Sequence, residues 1–224
     1  TQVQAGDDFA SWPIRTLDDA FTPRDPLTHV IEGLFALPSL SIVYGAPGTF
    51  KTLLMTDAAL CVAAGRPWLP AIPDSGERTA RDTVLTPVLW LDFDNGTRRM
   101  DSRVEALARG RELDPKAVPF YYTCMPTPWL DANSYTSTRS LARRIDELMA
   151  GLVVIDNLGT ISGGADENST EMVQVMGNLR RCAKETGAAI VVIHHQRKSG
   201  GIGRPGDALR GHSSIEAALE LALH

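Results

Sequence analysis

The residues Gly45-Ala46-Pro47-Gly48-Thr49-Phe50-Lys51-Thr52 lie between an apolar run at 40–44 and a helix-like run at 53–64. A glycine-bearing loop between a strand and a helix aims successive backbone N–H groups, and the positive end of the helix dipole, at one point where an anion can rest. The segment is therefore read as a phosphate cradle, with Gly45, Ala46, Pro47, Gly48, Thr49, Phe50, Lys51, Thr52 and Leu53 as the nucleotide-contacting set. Lys51 supplies a point charge for the β- and γ-phosphates, and Thr52 a hydroxyl suited to Mg²⁺. Phe50 stands where a glycine is usual before the lysine. Because a phenylalanine adopts left-handed backbone only at a cost, negative φ is expected there.

Three further positions could complete such a site. Asp156 follows four apolar residues, so it stands at the carboxyl end of a buried strand, within reach of a phosphate-bound Mg²⁺. Asp92 and Asp94 end a second apolar run. A general base must reach a water in line with the γ-phosphate, and Asp94, nearer the strand's end, is the better placed of the two. His194 and His195 close the last apolar run, where adjacent residues face opposite ways, so the pair cannot chelate one metal between them. One imidazole could hydrogen-bond the γ-phosphate or the attacking water; two satisfied core histidines are the plainer alternative.

These residues need a scaffold that gathers strand ends. The runs 152–155 and 189–193 are continuous, apolar and rich in β-branched residues, as strands buried on both faces of a parallel sheet are. Helical spacing appears in Met100, Val104 and Leu107 up to Gly110, in Leu141, Ile145 and Leu148 up to Gly151, and in Met172, Met176, Leu179 and Ala183 up to Gly187. Asn168, three residues before Glu171, is the expected start of the last helix. The first helix is expected from near Lys51 to Gly65, with Pro67 beyond. Alternating strand and helix implies an α/β fold, a mostly parallel sheet with helices on both faces, whose ligands bind beyond the carboxyl ends of the strands. Residues 1–36, broken by prolines, read as an N-terminal arm or linker, and 37–224 as one domain.

Composition narrows the class. Hydrophobic residues at 43% and charged residues at 22% describe an ordinary globular chain without an apolar run long enough to span a bilayer. The N-terminus carries Asp7 and Asp8 and no basic-then-apolar segment, so a cytoplasmic location is expected. Cys61, Cys124 and Cys182 lack Cys-x-x-Cys spacing, which argues against structural zinc and disulfides. A net charge of −5 excludes coating of nucleic acid by bulk charge. Local contact remains open through the glycine-rich segment 196–211, which carries Arg197, Lys198, Arg204 and Arg210.

The ordered set of the 45–52 loop, Leu-Asp-Phe-Asp-Asn-Gly at 91–96, the run ending in Asp156-Asn157, His194-His195 and Arg210-Gly211-His212-Ser213-Ser214 resembles the RecA-like AAA-type ATPases related to the hexameric replicative helicase RepA. The resemblance runs from about Leu34 onward and implies a RecA-like P-loop NTPase core that takes ATP and Mg²⁺. It implies metal-linked roles for Thr52 and Asp156, and catalytic roles for Lys51, for Asp94 where glutamate is more usual, and for His195 as a sensor. Arg210 looks like the finger that reaches a neighbouring subunit's site in a ring, expected to be a hexamer. Segments 159–169 and 196–210 correspond to channel-facing loops that touch single-stranded DNA, although Asp166 and Glu167 make the first acidic. The chain starts at Thr1 and stops soon after 220–223, where such cores commonly continue, and is read as a compact core or part of a longer polypeptide.

The leading expectation is an ATP hydrolase acting on single-stranded DNA as a replicative helicase. The rival from another class is a slow ATP-dependent switch or loader that acts on protein partners. A small-molecule phosphotransferase would need an acceptor pocket and a lid.

Overall fold

A computed structural model describes residues 12–69, 80–165, 169–195 and 219–223. Its elements in chain order are β1 (His29–Ile31), β2 (Phe35–Ala36), β3 (Ser39–Gly45), α1 (Lys51–Ala64), β4 (Val88–Asp92), α2 (Thr97–Gly110), β5 (Phe120–Cys124), α3 (Tyr135–Leu148), β6 (Leu152–Asp156), α4 (Leu158–Ile161), α5 (Thr170–Thr186), β7 (Ala189–His195) and β8 (Leu221–Leu223). Among them is a six-stranded sheet in the order β5-β4-β6-β7-β3-β8, in which every pairing is parallel. The alternating sheet and helices meet the α/β expectation. No described helix is long and apolar enough to cross a membrane.

The strands read as unbroken apolar runs because each supplies two cores. Leu89, Leu91, Val153, Ile155, Ile190 and Val192 pack on one face with α3, α4 and α5. The intervening residues Val88, Trp90, Leu152, Val154, Val191 and Ile193 pack on the other with α1, Met100 of α2 and the β1–β2 hairpin. Alternation in a strand buried on both sides changes which core a side chain enters, not whether it is apolar. α1 is buried almost all round, Met55, Thr56 and Ala58 through Ala63 being covered, which fits its run of alanines under the hairpin.

Several boundaries differ from the sequence reading. The arm is not irregular throughout: Val30, Ile31 and Phe35 of the hairpin are fully buried. β5, an edge strand, has no counterpart in the apolar runs, because Tyr121 and Tyr122 are exposed and its signal is diluted. α5 is capped by Ser169, whose side chain accepts from the Met172 N–H, so the cap falls one residue after Asn168, itself outside the described residues. α3 ends at Leu148 with Met149 in left-handed conformation at φ 51°, two residues before Gly151. Gly151 serves another purpose: a Cβ there would stand 2.4 Å from Thr86 Oγ1.

Candidate functional site

Parallel register brings the chemistry to one edge of the sheet. Gly45 lies opposite His195, and Asp92 opposite Asp156, so the carboxyl ends of β3, β7, β6 and β4 converge where the loop 45–51 enters α1. Crevices at the carboxyl ends of parallel strands collect ligands because the helices that follow point their N-termini there.

The loop itself is exposed from Ala46 through Phe50. Gly48 takes φ 82°, and a Cβ there would meet no atom within 4 Å, so glycine is required by conformation rather than space. Phe50 takes φ 61° and ψ 15°, which corrects the expectation of negative φ. The turn into α1 demands left-handed backbone at the residue before Lys51, whatever its side chain, and the phenyl ring escapes a clash by pointing to solvent at 75% exposure. Leu53, in the first turn of α1, is also exposed.

Lys51 is nearly buried. Its Nζ donates to the carbonyls of Gly45 at 2.9 Å and Ala46 at 2.8 Å and to Thr49 Oγ1 at 3.3 Å, so the ammonium staples the loop around the place where anionic oxygens would sit. Burial lowers the Lys51 pKa, and the charge of Asp156 counteracts it.

Thr52 Oγ1 donates to Asp156 Oδ2 at 2.7 Å, joining the start of α1 to the end of β6. Asp156 is fully buried, and its Oδ1 has no hydrogen-bond partner among the described residues. Burial pushes the Asp156 carboxyl up to about 6; Asp92 and Asp94 add to the rise, while the Thr52 hydrogen bond and His195 oppose it. A buried carboxylate oxygen left without a donor is costly, and a divalent cation beside a threonine hydroxyl supplies what it lacks. The residues present therefore fit a magnesium-bound triphosphate, which Lys51 and the loop would hold on one side and Thr52 and Asp156 on the other.

Asp92 and Asp94 do different work. The fully buried Asp92 accepts from the backbone N–H groups of Asp94 at 2.9 Å and Asn95 at 2.7 Å and from the Asn95 side chain, so it builds the turn after β4. Asp94, past the strand's end, is exposed, and its Oδ2 lies 3.6 Å from His195 Nε2. His194 is buried and His195 half-buried, as opposite-facing neighbours at a strand end should be. The structure thus brings Lys51, Thr52, Asp94, Asp156 and His195 together. Arg210, Asp166, Glu167 and the basic segment with Arg197, Lys198 and Arg204 lie outside the described residues.

Trp129 and the helix-capping role of Asn157 were missed by sequence reasoning. The Trp129 ring packs 5.0 Å from Phe93, the residue before Asp94, and its indole N–H donates to the Thr160 carbonyl of α4. Phe93 in turn donates its N–H to the Asp156 carbonyl at 2.6 Å. Asn157 caps α4 by accepting from the N–H and hydroxyl of Thr160. Asn157 had a legible signal in its Asn-x-x-Thr spacing, whereas nothing local ties Trp129 to Phe93.

A family model described as an AAA domain matches residues 10–201. No curated protein matches the chain.

Proposed function

The chain belongs to the AAA domain family, with the α/β fold of RecA-like P-loop NTPases, and we propose that it is a Mg²⁺-dependent ATP hydrolase that couples turnover to single-stranded DNA. One observation carries the hydrolase reading: the buried, half-unpartnered Asp156 carboxylate, hydrogen-bonded to the hydroxyl that follows Lys51. In that reading Lys51 and the loop amides hold the β- and γ-phosphates, and Thr52 and Asp156 hold the cation. When bound, Mg²⁺ offsets charge on the phosphoryl oxygens. Asp94 orients a water for in-line attack, and His195, whose Nε2 lies 3.6 Å from Asp94 Oδ2, would hydrogen-bond the γ-phosphate or that water.

Action on DNA, a ring of subunits and a helicase role rest on the sequence resemblance. Arg210 would serve a neighbour's site, and the basic residues after His195 would contact the phosphate backbone. A slow switch that acts on protein partners shares the same nucleotide site and differs only in what it drives.

Phosphate release measured with and without single-stranded DNA tests the proposal, alongside displacement of a labelled strand. The expected result is Mg²⁺-dependent release stimulated by DNA, reduced at least ~100-fold in Lys51→Ala because the removed charge acts on transferring phosphate. Release that DNA does not stimulate, without strand displacement, favours the switch. Lys51→Ala turnover equal to wild type refutes the site.

A further inference from the structure

Asp94, Asp156 and His195 come from the ends of three different strands, yet each offers a ligand atom, and the three atoms lie within 4.8 Å of one another. Magnesium held on a triphosphate uses oxygen donors and has no call on an imidazole. A nitrogen donor beside two carboxylates instead suits an imidazole-seeking ion such as zinc, whose catalytic sites bind three protein ligands and leave a position for water. Two atoms each about 2.1 Å from a tetrahedral ion stand roughly 3.4 Å apart. His195 Nε2 and Asp94 Oδ2 are 3.6 Å apart, too far for a hydrogen bond and close to that spacing.

Asp156, which also carries the magnesium reading, is the sign that a cation is wanted: it is fully buried, and its Oδ1 has no partner among the described residues. The nearby cation, Lys51, does not supply one, since its Nζ donates to the Gly45 and Ala46 carbonyls and to Thr49 Oγ1.

We infer that Asp94, Asp156 and His195 form a site for an imidazole-seeking divalent cation of the zinc class, filled without nucleotide. Its consequence for turnover rests on the hydrolase reading. A zinc-class ion held there occupies Asp94, which would orient water, and Asp156, which would hold magnesium, so the occupied enzyme is inhibited and Mg²⁺-ATP competes with the ion.

Cobalt(II) is the probe, because its visible absorption reports low-coordinate nitrogen and oxygen ligation. Titration of the nucleotide-free protein should give one bound Co²⁺, displaced by Zn²⁺. His195→Gln should weaken that binding at least ten-fold, and so should Asp94→Asn, a change at an exposed position that the fold tolerates. Lys51→Ala should retain the band, which separates this site from the phosphate grip: loss of ATP turnover with an intact band sinks neither. Wild-type protein that binds no Co²⁺, a band of thiolate character from a cysteine, or equal affinity in His195→Gln and Asp94→Asn overturns the inference.

Discussion

Phe50 holds φ 61° with its ring 75% exposed, so its strain is little repaid by contacts of that ring with the described residues. Left-handed backbone costs a non-glycine residue roughly 1–2 kcal/mol, whereas glycine returns roughly 0.5–1 kcal/mol of that as unfolded-state entropy. Phe50→Gly is therefore expected to stabilise the protein by about 0.5–1 kcal/mol in urea unfolding, and a destabilised variant would show that the ring has a partner. Asp156 stores the opposite kind of cost. Its carboxyl is pushed up to about 6, mainly by burial, so between its ordinary value and 6 the folded chain holds a proton that the unfolded chain releases. Stability from this group is therefore greatest at low pH and is lost as pH rises through 6, by up to about 3 kcal/mol. Asp156→Asn should melt higher than wild type above pH 6, converge with it below pH 4, and lose Mg²⁺-dependent nucleotide binding. Superimposable melting profiles across that range would contradict the assignment. Phe50 also shows where sequence reasoning stops: side-chain preference argued for negative φ, and the residue takes φ 61° at the turn into α1.

At the scale of elements, the site depends on register. Gly151 precedes β6, and its N–H donates to Thr86 Oγ1 at 3.1 Å, just before β4 begins. That close approach aligns the starts of the two strands, which end with Asp92 opposite Asp156. Gly151→Ala would drive a methyl group into Thr86, at 2.4 Å from its hydroxyl, and is expected to cost about 1–3 kcal/mol in chemical unfolding, with weakened nucleotide binding. An unchanged midpoint would mean that the strand starts are free to shift. The central strands and the helices at 51–64, 97–110 and 170–186 were legible because burial on two faces, helical spacing and terminal glycines mark them locally. β5 and the β1–β2 hairpin were not, since an edge strand with exposed tyrosines and a hairpin of one three-residue and one two-residue strand carry too little pattern. The left-handed Met149 and the Ser169 cap show that helix ends are fixed by local hydrogen bonding that spacing alone does not locate.

For the whole molecule, the phosphate loop and Asp156 were readable because each sits at a strand end that its own flanking residues announce. The convergence of Asp94, Asp156 and His195 was not, because it depends on the strand order β4-β6-β7, which joins residues distant in the chain. The most direct test is a crystal structure with a nonhydrolysable ATP analogue and Mg²⁺. The account predicts the triphosphate within the loop 45–52, Lys51 Nζ moved from the Gly45 and Ala46 carbonyls to the phosphates, and the cation beside Thr52 and Asp156. A triphosphate bound elsewhere, with Lys51 still holding the loop carbonyls, would contradict it.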